Sequence, residues 1–197
     1  MPGQINRSSD FGEIIYNYAR DVKYKKFLEI GTWNGQGSTK CFIDGLLERN
    51  DNYSFMSIES SRNFYETACY FNSPWLSEKI KILHGRIIEV DELIHRDISD
   101  YRKPWLEEDI SNYNSCPNIW NEVRDRYDVV LLDGGEFSTF SEFMKLKDRT
   151  TILLLDDTKE IKNSDVVIYL NNSNDWKNLV SSTERNGYAV YERLYTD

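Results

Sequence analysis

The chain has little cysteine, little histidine and a deficit of positive charge, and it lacks any long apolar run. Its three cysteines, Cys41, Cys69 and Cys116, are odd in number and widely spaced. They form neither a zinc pattern nor a disulfide frame, which points to a reducing, cytoplasmic setting. The longest apolar runs, such as Val129–Leu132 and Ile152–Leu155, are far too short to span a bilayer. Residues 1–10 are polar and lack the apolar core of a secretory signal. No membrane role is therefore expected. The formal net charge of −9 repels polyanions and argues against a nucleic-acid partner. The clustered Lys23, Lys25 and Lys26 read as a solvated helix end rather than a basic binding patch. The two histidines, His84 and His95, are each a candidate general base beside the commoner structural role. No internal repeat or low-complexity segment is present.

What is present is a chain that should fold. Hydrophobic residues make up 40% of its 197 residues, enough for one domain with a sizeable core. Helical spacing marks residues 11–21, where Phe11, Ile14, Ile15 and Tyr18 share a face and Ser8, Ser9 or Asp10 can cap the start. Strands are expected at 27–30, 54–59, 80–84, 127–133 and 151–157. Helices are expected at 38–49, 62–70, 141–147 and 161–170. The run Y-D-V-V-L-L-D at 127–133 suits a strand buried on both faces. Residues 176–182 and 188–195 read as two strands joined by E-R-N-G, whose Asn186-Gly187 is a hairpin signal. The fold class is α/β, a doubly wound, mostly parallel sheet closed by an antiparallel C-terminal hairpin.

Residues 91–126 form too long a connection for a simple crossover. A helix plus a loop is expected there, carrying Tyr101, Trp105, Tyr113 and Trp120. Such inserts beside the ligand edge of an α/β sheet often make lids or substrate walls. Packing of these aromatics into a satellite core is the competing reading. Cys41 and Cys69 fall in expected helices and read as packing residues.

The most informative stretch is F-L-E-I-G-T-W-N-G-Q-G-S-T at 27–39. A strand ends near Glu29. Glycines follow at Gly31, Gly35 and Gly37, and Ser38 and Thr39 open a helix. Glycine permits a tight turn and close approach of a ligand to the backbone. Glu59 closes the next apolar run, about 20 residues beyond the turn, where a nucleotide-binding fold places the carboxylate that holds ribose hydroxyls. A nucleoside-cofactor site is the leading reading; a merely structural turn is the alternative.

Asp133, Asp156 and Asp157 stand at the carboxyl ends of the strands at 127–133 and 151–157. Ligands of open α/β sheets bind at that edge. Three converging carboxylates repel one another unless a cation sits among them, and hard oxygen ligands suit Mg²⁺, Ca²⁺ or Mn²⁺. Capping of the following turn is the plainer role for Asp156 or Asp157.

These residues resemble class I S-adenosylmethionine-dependent methyltransferases, from about residue 11 onward. E-I-G-T-W-N-G-Q-G-S-T is similar to the family's first motif, which meets the amino-acid part of the cofactor. The resemblance implies a seven-stranded sheet. It also implies cofactor contacts at Glu29, Gly31, Thr32, Trp33, Asn34, Gly35, Gly37, Ser38 and Thr39. Glu59 and Ser60 fall at the ribose, Gly85 and Arg86 of H-G-R-I at the adenine pocket, and Asp133 and Gly134 beyond the fourth strand. A narrower similarity is to sugar O-methyltransferases of the macrocin and mycinamicin type and to the cephalosporin-hydroxylase-like group. It implies a Mg²⁺ or Mn²⁺ ion on Asp133, Asp156 and Asp157, with Asp133 as candidate base. This sequence has D-G-G-E-F-S-T where relatives often carry an acid or His directly after D-G, so Glu136 is a substitute base or ligand. Asp133, Asp157 and Glu136 are thus the expected catalytic residues.

The implied reaction is O-methylation of a sugar or glycoconjugate hydroxyl by a single-domain enzyme spanning 1–197. A catechol-type or other small-molecule acceptor obeys the same logic. An NAD-dependent oxidoreductase fits less well, because G-x-x-x-G-x-G departs from G-x-G-x-x-G. A non-catalytic module of the same fold is the remaining alternative, against which the retained acids argue. Oligomeric state is not legible.

Overall fold

A computed structural model describes residues 5–94, 99–123 and 125–194. His95 and residues 195–197 lie outside the described residues. Helix α1 spans Asp10–Arg20, with Ser9 at its N-cap accepting a bond from the Gly12 N–H. Its buried Phe11, Ile15 and Ala19 lie one helical turn apart on the core face. Strand β1 (Lys26–Ile30) leads through the glycine turn into α2 (Ser38–Leu47). Next come β2 (Ser54–Glu59), α3 (Arg62–Asn72) and β3 (Ile80–His84). Among its described residues the insert holds two α-helices rather than one, α4 (Lys103–Ser115) and the short α5 (Trp120–Val123). Pro104 opens α4, where its missing N–H costs nothing. The chain continues through β4 (Tyr127–Leu132), α6 (Thr139–Leu146), β5 (Thr150–Asp156) and α7 (Ile161–Asn171). It closes with the hairpin β6 (Trp176–Ser182) and β7 (Tyr188–Arg193).

Among the described residues all seven strands join one sheet in the order β3-β2-β1-β4-β5-β7-β6. The first five are parallel; β7 runs antiparallel to β5 and β6. This is the expected α/β, mostly parallel architecture with a terminal hairpin. The central strands β1, β4 and β5 are buried on both faces, as their continuous apolar runs require, whereas the edge strand β6 is largely exposed. Leu28, Val130, Leu132, Leu153 and Leu155 pack into one core layer. Their sequence neighbours Phe27, Val129, Leu131, Ile152 and Leu154 pack into the other.

The strand order reverses between β1 and β4, so the sheet has its switch point there. Register then lines up the site. Glu59 pairs with His84, and Ile30 lies beside both Ile58 and Leu132. Leu132 in turn lies beside Leu155. The residues next in sequence, Gly31, Asp133 and Asp156, therefore share one edge with Glu59. Among the described residues no helix is long and apolar enough to cross a membrane. The three cysteines are free.

Candidate active site

A cavity of about 520 Å³ opens along this edge. Gly31, Thr32, Trp33, Gly37, Ser38, Glu59, Ser60, Gly85, Asp133 and Gly134, all among the cofactor contacts that the resemblance implies, line it. The turn after β1 brings the chain close to the end of β4. Gly31 has φ +94°, and a Cβ there would overlap the Asp133 carbonyl. Trp33 also takes a positive φ, +49°, a strained backbone for a bulky residue. Its half-exposed ring stands edge-on to Phe64 at the mouth of the cavity, with centroids 6.0 Å apart.

Glu59 is buried at the end of β2. Its Oε2 accepts from the Trp33 N–H at 2.7 Å and its Oε1 from the Ser61 N–H at 2.8 Å. Burial raises its pKa to about 7, against the opposing pull of those backbone donors. Each oxygen keeps a lone pair for a further donor.

Other expected cofactor residues stand behind the cavity wall. Glu29 is fully buried beneath the turn, accepting from Thr39 Oγ1 at 2.7 Å and Ser57 Oγ at 2.5 Å. Burial raises its pKa to about 7, and its Oε1 has no hydrogen-bond partner among the described residues. Thr39 is thereby a buried brace. Gly35 gives α3 room to approach: its carbonyl accepts from Asn72 Nδ2 at 3.0 Å, and a Cβ would collide with that side chain. Asn34 accepts from the Gln36 N–H within the turn. Arg86 turns away from the expected adenine pocket. Its guanidinium donates to the Tyr113 and Ile88 carbonyls and to Glu89, clamping the insert to the sheet. His84 has Nε2 3.1 Å from the Ser60 carbonyl and does not line the cavity.

At the other end, oxygens of Asp133, Asp156 and Asp157 converge within 4.8 Å. The cation among them belongs to the chain itself. Lys162 Nζ donates to Asp133 Oδ1 at 2.8 Å and to Asp157 Oδ2 at 3.0 Å. Arg185 Nη2 reaches Asp156 Oδ2 at 2.9 Å, and Asn186 Nδ2 donates to Asp157 Oδ1 at 3.0 Å. The hairpin turn thus does more than connect strands. Burial and the neighbouring Asp133 and Asp157 raise the Asp156 pKa to about 7 despite Arg185. Burial also raises Asp133, with Lys162 opposing. For Asp157 burial is outweighed by Lys162, Asn186 and Arg185, and its pKa falls. Asp157 has φ +51°, a further strained residue at this edge. Glu136 lines the cavity but is held by Arg102 Nη1 at 3.1 Å, while Arg102 Nη2 binds Glu160 at 2.9 Å.

Sequence reading missed Asp109, Glu142 and Lys162, which also line the cavity. Burial raises Asp109 to about 6 and Glu142 to about 7. Glu142 sits on the core face of α6 with Thr139 and Leu146, so an acid at an apolar helical position was its signal. From the insert, Trp105, Asp109 and Tyr113 reach the cavity, whereas Trp120 packs against the core instead.

No protein-family model matches this sequence, and no curated protein matches it. Solved structures do. The O-methyltransferase TomG from Streptomyces achromogenes, in complex with S-adenosylmethionine, superposes with a TM-score of 0.63 at 14% identity, over 95% of this chain and 81% of that one. An O-methyltransferase from Bacillus cereus in complex with S-adenosylhomocysteine gives 0.65 at 11% identity, over 98% and 84%. A methyltransferase from Geobacter sulfurreducens gives 0.64 at 13% identity, over 99% and 82%. The chain has the Rossmann-like fold of these methyltransferases.

Proposed function

We propose that this chain is an S-adenosylmethionine-dependent O-methyltransferase acting on a hydroxyl of a sugar or glycoconjugate. One observation carries the reading. A single cavity runs from Glu59, a buried carboxylate at the end of β2, past the open Gly31 turn to the acids at the ends of β4 and β5. The first end suits a ribose, the second an acceptor. The names of the superposed O-methyltransferases and the nucleosides bound to two of them support it.

The residues fit the cofactor. Glu59 has lone pairs for two ribose hydroxyls, and the Gly31 turn lets a ligand lie against backbone. When bound, S-adenosylmethionine supplies an activated sulfonium methyl group. Asp133 stands at the switch point, where it can orient an acceptor hydroxyl and take its proton. The O–H bond breaks as the O–CH₃ bond forms, and the C–S electron pair stays on sulfur. Its raised pKa makes Asp133 a stronger base than an ordinary carboxylate.

The divalent ion implied by the family resemblance does not fit the arrangement as folded. Asp133 and Asp157 already bind Lys162, and Asp156 binds Arg185. The sugar acceptor rests on the resemblance, with support from the Trp33 and Trp105 rings lining the cavity, which offer apolar faces to a sugar. A catechol-type acceptor is the second reading, favoured by those same rings.

Calorimetry with S-adenosylmethionine, S-adenosylhomocysteine and NAD tests the cofactor. One site for the sulfur nucleosides and none for NAD is expected; the reverse defeats the proposal. Mass spectrometry of a panel of glycans and catechols incubated with the methyl donor identifies the acceptor class. A chain that binds the donor but methylates nothing would be a binding module.

A further inference from the structure

Lys162 sits where the local rules of helix formation would not put it. It lies in the first turn of α7, a turn without an acidic residue. A cation there opposes the helix dipole, which favours negative charge at the N-terminus. The side chain is nonetheless drawn inward, with 14% of it exposed, onto Asp133 and Asp157. Burial alone would favour the neutral amine. The two carboxylates overcome that and hold the pKa above its ordinary value.

We propose that the Lys162 ammonium takes the place a divalent cation would hold among Asp133, Asp156 and Asp157, and presents an N–H to the acceptor oxygen. The two halves of this inference have separate supports. The charge argument concerns the chain alone. Three carboxylates face two cations, Lys162 and Arg185, and each carboxylate has its own protein donor. A metal such as Mg²⁺ binds oxygens at about 2.0–2.1 Å. It would have to displace the ammonium from the oxygens it holds at 2.8 and 3.0 Å, because two cations cannot share them without strong repulsion.

The second half rests on the methyl-transfer reading. An ammonium has three N–H donors. Two bind Asp133 and Asp157, which leaves one for an oxygen in the cavity that Lys162 lines. That N–H would orient a hydroxyl and stabilise the negative charge that grows on its oxygen as the proton leaves. A lysine would thereby supply the electrostatic service otherwise given by a metal.

The test of the first half needs neither methyl donor nor acceptor, so its failure is distinct from failure of the proposed function. Mn²⁺ is titrated into the full chain, and free ion is followed by electron paramagnetic resonance. Wild type and Lys162→Arg are expected to show no saturable site. Lys162→Ala, shown to be folded by circular dichroism, is expected to gain one site that is lost again in Lys162→Ala/Asp133→Asn. A saturable wild-type site that disappears in Asp133→Asn overturns the proposal. So does a folded Lys162→Ala that takes up no Mn²⁺, because the ammonium would then not be what fills the cation position. Should Lys162→Ala fail to fold, the wild-type titration decides by itself. If the wild type methylates an acceptor, its kcat should be unchanged in EDTA. Lys162→Ala should lower kcat with cofactor Kd unaltered, and Lys162→Arg should recover part of the loss. A wild-type rate abolished by EDTA and restored by Mg²⁺ overturns the second half.

Discussion

The hydroxyl of Tyr113 donates to Oε1 of Glu142 across 2.6 Å, tying α4 of the insert to α6 at the cavity wall. The other carboxylate oxygen is buried without a hydrogen-bond partner among the described residues. Burial therefore favours the protonated acid, and the pKa rises from 4.5 to about 7. A native state that holds a proton the unfolded chain releases is most stable below the unfolded pKa. That stability is lost as pH rises through the folded value. Urea unfolding of the ligand-free protein should show stability falling between about pH 4.5 and 7, with Glu142 contributing up to about 3 kcal/mol. Glu142→Gln keeps the acceptor for Tyr113 and cannot ionise, so its curve should fall less steeply. Parallel curves for the two proteins would show that Glu142 is ionised in the native state. Glu29 and Glu59 slope the same way, which is why the difference between variants is the quantity to read.

Glu59→Ala should weaken S-adenosylmethionine binding. It removes two charge-assisted acceptors, an effect of about 1.5–3 kcal/mol, roughly tenfold to a hundredfold in Kd. Calorimetry measures it directly. An unchanged Kd in a folded variant would place the ribose elsewhere.

The tryptophans of the insert should separate. Trp105 lines the cavity, half exposed and edge-on to Tyr101, whereas Trp120 packs against the core beside Arg149 and Lys145. Trp105→Ala is expected to raise the acceptor KM with little change in Tm. Trp120→Ala is expected to lower Tm and leave KM alone. Early melting of both variants with normal acceptor kinetics would mean that the insert is only a structural satellite.

Gly31→Ala should be severe. The residue has φ +94°, and a Cβ would meet the Asp133 carbonyl and come within 2.7 Å of the Gly134 nitrogen. Strain and overlap together predict a loss on the order of 2–4 kcal/mol, seen in urea unfolding. Gly37→Ala meets only the Ile5 carbonyl at 3.4 Å and should be tolerated. Equal stability of the two variants would contradict the described turn.

Much of this molecule is written in local patterns. Continuous apolar runs such as Val129–Leu132 need two covered faces, so the parallel sheet is legible without coordinates. Strand ends mark the ligand edge, so Gly31, Glu59, Asp133, Asp156 and Asp157 were identifiable one by one. Asn186-Gly187 marked the hairpin, because few residues other than glycine accept the turn's positive φ. What the turn does was not legible. Arg185 and Asn186 reach Asp156 and Asp157 only because β7 pairs with β5, a long-range choice. Lys162 reads locally only as an unfavourable cation in the first turn of a helix, with nothing nearby in sequence to show its partners. Tertiary packing brings α7 to the edge of β4 and β5 and turns it into a buried counter-ion. The same holds for Glu142 and Tyr113, distant in sequence and bonded in space. Burial and spacing of charge set pKa values and the sign of the local field, and both depend on which elements meet. The acids at the strand ends follow from the amino-acid sequence; the cations that balance them were decided by the fold.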